Sequence, residues 1–344
     1  MPYRINYNIF YLFISILIFI SYLLGFYFNE DAAGGGKIDL YGHEWDNINL
    51  FINSHLSSAL TDVRYESART PLYLIINKFN PFTENIQQFR ISYLFFAMTI
   101  PILFLVFLAK NFKITNLSVF IFLSSILMIN PYFRTMSFWA DTEVLAIFFM
   151  ILTLITLTSL LKLNHKGNES KYYFYSILTG LLSTLSFYSD QKYIFLSIFV
   201  YFFLVFKNDL KFFILYSFLF LILITPALYL FYIWGGLVPI DSQFRVIYTP
   251  TGFNYFISSI GLYFIPICVV LLIEKKISKL LSNFKKIDLV IFLIVSIILF
   301  LTLPNEPKFE GVGIIFKFFS LVSNKFNINC YLILIIYYIF NLFF

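Results

Sequence analysis

Long apolar runs recur along this chain, and no Asp, Glu, Lys or Arg lies in the middle of any of them. A helix needs about 20 mainly apolar residues, within a range of about 17–25, to cross the hydrocarbon of a bilayer. Ten runs fit that requirement, near 8–28, 90–109, 116–130, 143–161, 172–188, 193–207, 212–234, 255–273, 287–303 and 326–344. The third and sixth are short. The first is longer than the apolar core of a signal peptide, and Leu24-Gly25-Phe26-Tyr27-Phe28 lacks the small-x-small exit of a cleavage site. The expected fold is all-α: a polytopic transmembrane helix bundle of about ten spans, forming a single multi-pass domain over 1–344.

Composition agrees. Charged residues make up only 12% of the chain, about half the share of an ordinary soluble domain. So few polar side chains cannot cover a globular surface, which excludes water-soluble enzymes and disordered chains. Cys268 and Cys330 both sit in apolar runs, leaving no ligand set for a disulfide scaffold, a zinc site or an iron–sulfur site.

The formal charge of +6 separates into two faces. With the amino terminus placed in the cytoplasm, thirteen bases and four acids fall inside, against eleven bases and fourteen acids outside, or +9 and −3. Basic residues collect on the cytoplasmic side of membrane proteins, so the positive balance is a topology signal and not a nucleic-acid surface. Inner loops are short and lysine-rich. Outer loops (29–89, 131–142, 189–192, 235–254 and 304–325) are longer and hold or border all three Trp residues. Function is therefore expected on the outer face, which an AT-rich codon bias (many Phe, Ile, Asn, Lys and Tyr) places in the periplasm of a bacterial inner membrane.

In the first outer loop, 29–89, Glu30 and Asp31 follow the first span directly and Gly34, Gly35 and Gly36 come next. Two readings stand: solvated acids at a span end with a flexible turn, or a carboxylate held at the membrane surface as a general base with room beside it for a substrate. Trp45 to Leu56 reads as a short interfacial helix. His43 and His55 have no metal-ligand spacing. Thr70-Pro71 starts another short helix, and Arg69 before it either meets an anion or anchors the chain at the headgroups. Farther on, Asp141 or Thr142 caps a span, while Arg134 in an aromatic stretch is a candidate phosphate ligand. Ser189-Asp190-Gln191-Lys192 forms a tight turn from which Lys192 can reach a phosphate. Asp241 and Arg245 lie in the 235–254 loop. Carboxylates, cations and aromatics on one face suit an anionic lipid headgroup that carries a sugar.

The layout resembles a GT-C glycosyltransferase, a polytopic class that takes sugar from a polyprenyl-phosphate carrier and keeps an essential acid in the first outer loop. Glu30-Asp31 stands at that position. A narrower resemblance is to the dolichyl-phosphate-glucose alpha-1,2-glucosyltransferase family. It rests on Arg69-Thr70-Pro71-Leu72-Tyr73, Trp139-Ala140-Asp141 and Trp234-Gly235-Gly236-Leu237-Val238-Pro239-Ile240-Asp241. This chain departs from the family at 189–192, where only Gln191 keeps its type and the basic residue, Lys192, sits at the other end. The resemblance implies an inverting transfer to an acceptor hydroxyl with Asp31 or Glu30 as catalytic base. Arg69, Arg134, Asp141, Gln191, Lys192, Asp241 and Arg245 would then bind substrate and phosphate. It implies a polyprenyl-phosphate sugar as donor and a glycan, lipid-linked or protein acceptor. No cofactor is called for, because a lipid-phosphate leaving group does not demand a metal. The alternative is a lipid-linked glycan flippase or other transporter, and a membrane assembly factor comes third. A secondary transporter usually carries ionisable groups at midplane depth, and these spans have none.

Overall fold

A computed structural model describes residues 7–65, 71–112, 116–163, 169–207, 210–236, 322 and 324–326. The chain divides into two compact units, Met1–Phe244 and Arg245–Phe344. Almost all described residues belong to the first, so the spans read at 255–273, 287–303 and 326–344 lie outside them, apart from Phe326. The described secondary structure is entirely helical.

Four described helices are long and apolar enough to cross a membrane: Tyr7–Tyr27, Ile86–Asn111, Thr142–Leu161 and Phe212–Trp234. They are α1 (Tyr7–Tyr27), α6 (Ile86–Asn111), α9 (Thr142–Leu161) and part of α12 (Leu210–Trp234). One further apolar stretch is bent. The run at 116–130 becomes α7 (Leu117–Ser125) and a 3-10 turn (Ile126–Ile129), followed after a 69° bend by α8 (Pro131–Phe138). The bend has a local cause. Proline disfavours helical backbone in the residue before it but fits the first position of a new helix. Asn130 leaves the helical region and its side chain accepts the Phe133 N–H at 3.1 Å, restarting the chain in a new direction.

The runs at 172–188 and 193–207 form α10 (Glu169–Ser189) and α11 (Ile194–Lys207). α11 is short, and α10, although 21 residues long, owes its lower hydropathy to hydroxyls. Ser176, Thr179, Ser183, Thr184, Ser186 and Ser189 are all buried. Each bonds a backbone carbonyl, as with Ser186 to Ala146 O at 2.8 Å, and Thr179 also reaches Thr156 Oγ1 at 3.0 Å. Small hydroxyl residues let neighbouring membrane helices pack closely and bond across the seam. They join α10 to α9 and leave none of these hydroxyls unpaired.

Hydrogen bonds define the two ends of the bundle. At one end Lys110 meets Ser159, Asn111 meets Thr158 at 3.3 Å, and Asn116 meets Asn8. Here lie the amino ends of α1 and α7 and the carboxyl ends of α6 and α9. The opposite end gathers the end of α1, the start of α6, all of α8 and the start of α9. It also carries the acids and the interfacial helices of the first outer loop. These are α2 (Gly36–Asp39), a π-helical turn (Leu40–Glu44), α3 (Trp45–Asn53), α4 (Leu56–Leu60) and α5 (Pro71–Lys78). α3 buries Ile48, Leu50 and Phe51 and turns its polar side outward.

Candidate active site at the acid-bearing end

α1 stops in a Schellman motif. Asn29 takes the left-handed conformation (φ 54°), its N–H donates to Phe26 O at 3.0 Å, and the Glu30 N–H donates to Gly25 O at 2.8 Å. Asparagine tolerates that conformation better than most residues. The motif fixes the height of Glu30 and Asp31 at the end of a rigid span.

The two acids have different surroundings. Glu30 forms a two-pronged ion pair with Arg134 of α8: Nε donates to Oε1 at 2.9 Å and Nη2 to Oε2. Arg134 also donates to Ser21 O at 2.9 Å, and to Ser21 Oγ and Met128 O at 3.3 Å each. All five of its N–H donors are therefore engaged, and the arginine is buried. Gly25 makes this possible, since a Cβ there would strike Arg134 Nη2 and Glu30 Oε2.

Asp31 is bound more lightly. Its Oδ2 accepts the Lys37 N–H at 3.2 Å, and its backbone carbonyl accepts the Gly34 N–H at 3.1 Å. Its Oδ1 is buried without a hydrogen-bond partner among the described residues. The three glycines divide their work. Gly34 and Gly35 have φ of 80° and 94°, which only glycine adopts at little cost. Gly36 lies against α8, where a Cβ would come within 2.6 Å of Thr135 Cγ2 and 3.0 Å of Trp139 Cδ1. The room expected beside Asp31 thus remains at Gly34, which has no heavy atom near its missing Cβ. At Gly36 it is filled.

α8 ends in the same way as α1. Trp139 N–H donates to Thr135 O at 3.0 Å, Asp141 N–H to Met136 O at 2.9 Å, and Ala140 between them has φ 55°. Arg90, 1% exposed, ties the two stops together. Its Nε donates to Phe138 O and its Nη1 to Asn29 Oδ1, both at 2.8 Å, and its guanidinium lies 3.9 Å from the Trp139 ring centroid. Trp139 in turn donates from Nε1 to Glu30 O at 3.0 Å, and the Ala33 N–H donates to Thr135 Oγ1 at 2.9 Å. The acids of the first loop are thus seated on α8 through one indole ring.

Asp141 caps α9 by accepting the Thr142 N–H at 2.6 Å. Beyond it, Lys192 pairs with Glu143 and lies 3.6 Å from Asp190. Asp190 accepts the Lys192 N–H at 2.8 Å, and burial raises its carboxyl above the usual range. Gln191 is exposed in the same turn, and the Lys192 side chain keeps 69% of its surface in the open.

Arg69, Asp241 and Arg245 lie outside the described residues. The structure brings Glu30, Asp31, Arg134 and Asp141 around α8, while Gln191 and Lys192 stand on the neighbouring turn beside α9. Two further residues belong to this end. Arg90 reads in the sequence only as a charge at the start of a run. Glu44 is fully buried in the π-helical turn, 3.4 Å from the Tyr73 hydroxyl, which donates to Ala140 O. Nothing in its local sequence marks Glu44 as inward-facing. Among the described residues no group of three or more His, Cys, Asp or Glu is placed to hold a metal ion. Comparisons with protein-family models, with curated proteins and with solved structures find no match to this chain.

Proposed function

We propose that the protein is a membrane glycosyltransferase of GT-C type, an inverting hexosyltransferase using a polyprenyl-phosphate sugar at the periplasmic face of a bacterial inner membrane. The observation that supports this reading best is the unequal state of the two acids. Glu30 is committed to Arg134, whereas Asp31 has a buried oxygen with no partner among the described residues, on a rigid span end beside the open side of Gly34. A general base needs a free lone pair within reach of the proton it takes. Asp31 is therefore the base in this reading and Glu30 its support.

Asp31 accepts the proton of the acceptor hydroxyl while that oxygen bonds to the anomeric carbon. The bond from that carbon to the lipid phosphate breaks, and the phosphate leaves as an anion. Cations aimed at developing charge lower such a barrier. Arg134 has no donor left; Lys192 is exposed and, besides its bond to Glu143, keeps further N–H donors for a phosphate, with Arg69 and Arg245 as further candidates in the segments outside the described residues. The acceptor is a glycan, a lipid-linked sugar or a protein.

The test is transfer by membranes containing the protein, supplied with a panel of polyprenyl-phosphate sugars. Asp31→Asn is nearly isosteric and should lower turnover by about 10²–10⁴-fold, the usual worth of a general base, with little change in donor affinity. Full activity in Asp31→Asn would remove the assignment. A flippase reading would instead be supported by lipid-linked glycan crossing vesicles without any transfer.

A further inference from the structure

A polar cavity that Asp31 does not line lies among the helices of the first outer loop. It measures about 480 Å³ and is walled by α3, the π-helical turn before it and the turn that holds Arg64. That volume is in the range of small-molecule clefts. Two other cavities, of about 260 and 330 Å³, are walled mainly by apolar side chains of spanning helices such as Ile177, Leu215, Leu12 and Ile121.

The polar groove has a regular wall. His43, Asp46, Asn49 and Asn53 follow one another at three- and four-residue steps. Side chains at those steps share a helix face, with Cβ atoms about 5–6 Å apart. The π-helical turn establishes this face. It inserts extra backbone before Trp45, so that Glu44 goes inward to Tyr73 while Gly42 and His43 open onto the groove. Such turns recur at functional sites. The Asp46 carboxylate and the Asn49 amide make no side-chain hydrogen bond among the described residues, so both can turn to a ligand.

The charge of the groove selects the ligand. Arg64 is its only full cation, and that cation is taken up by Asp62 through bonds of 2.8 and 2.9 Å. Asp46 adds one negative charge. Among the described lining residues a phosphate or an acidic chain would meet no cation but the Asp62-paired Arg64 and would face the Asp46 carboxylate. A neutral ligand dense in hydroxyls meets a row of amide and carboxylate groups, each able to bond two neighbouring hydroxyls.

We infer that this groove binds a neutral saccharide, and, resting on the transferase reading for this one step, that the saccharide is the acceptor side of the reaction. The experiment titrates the full-length protein in nanodiscs with neutral di-, tri- and tetrasaccharides of glucose, mannose, galactose and N-acetylhexosamine, and separately with inorganic phosphate. At least one saccharide should bind. The double variant Asp46→Asn, Asn49→Ala, checked for parental thermal unfolding, should bind it tenfold or more weakly.

No saccharide binding at millimolar concentration, or equal binding by the double variant, overturns the site. So does phosphate that competes with the sugar. The two readings separate cleanly. Transfer that depends on Asp31 but shows an unchanged acceptor KM in the double variant overturns the groove and keeps the transferase. Saccharide binding that depends on Asp46 and Asn49, with transfer indifferent to Asp31, keeps the groove and overturns the base.

Discussion

At the scale of single residues, the acid-bearing end turns on which charges are already spent. Arg134 and Glu30 look in the sequence like a phosphate ligand and a catalytic acid, 104 positions apart. Together they neutralise each other at the end of α1. Breaking a buried ion pair strands the remaining charge and typically costs 3–5 kcal/mol. Glu30 keeps 32% of its side chain exposed, so Glu30→Gln should cost about 3 kcal/mol, the low end of that range. Thermal unfolding in detergent should show this loss, and Arg134→Ala added to Glu30→Gln should recover part of it, because the stranded cation is gone. An unchanged melting temperature in Glu30→Gln would mean the pair contributes little. The sequence shows that acids follow a span and that an arginine sits among aromatics. It does not show that they meet, since nothing local in either segment encodes contact across that distance.

At the scale of elements, the two Schellman stops differ in how well their residues suit them. Asn29 is a favourable left-handed residue, whereas Ala140 holds φ 55° against a cost of roughly 1–2 kcal/mol for a non-glycine side chain. Ala140→Gly should relieve that cost, less the larger chain entropy that glycine gives the unfolded state, for a net stabilisation of about 0.5–1 kcal/mol. Differential scanning of purified protein would detect it, and a lower midpoint would show that the buried methyl matters more than the backbone.

The turn after α10 yields a pH prediction. Burial raises the Asp190 carboxyl. A carboxyl with a raised folded value stabilises the fold fully below its unfolded value and loses that contribution as pH rises through the folded one. Asp190→Asn retains a good capping residue and should flatten the fall in stability on the rise from acidic towards neutral pH. A parallel fall in both proteins would point to another group.

Much of this element-level structure is legible beforehand. Pro71 is the first residue of α5, Asp141 caps α9, and the helix read from Trp45 to Leu56 is α3 only as far as Asn53, where extended Ser54 and His55 separate it from α4. By sequence the third run ends at 130 and 131–142 is a loop, whereas the structure forms α8 over Pro131–Phe138 after the bend at Asn130. The π-helical turn is not legible, because it changes the register without changing the residue types.

For the molecule as a whole, the helix ends sort by charge. The end built from the starts of α1 and α7 holds Lys110 and Lys162, while at the other the acids, Glu30, Asp31, Glu44, Asp141, Glu143 and Asp190 among them, outnumber the bases Lys37, Arg64, Lys78, Arg90, Arg134 and Lys192. The positive-inside rule predicts that Lys162 faces the cytoplasm. Cysteines introduced at Thr61 and at Lys162 should react with an impermeant maleimide from opposite sides of the membrane. Labelling of both from one side would overturn the antiparallel order of the spans. The described helices carry this pattern without an ionisable residue at mid-depth, which is how the sequence alone separates membrane segments from the surface where chemistry is expected.

The π-helical turn has a consequence for how this chain tolerates change in length. Between Gly36 and Asn53 the helix has one residue more than a regular α-helix of the same rise would use. Each residue in an α-helix advances the facing direction by about 100°. Losing one residue there would leave the backbone pairing whole, even improved, yet turn Glu44 away from Tyr73 and the His43–Asn53 row away from its cleft. The number of residues in this stretch is therefore constrained more tightly than the identity of several of them. Insertions and deletions that are harmless in an exposed loop would act here like a key cut one notch out of phase.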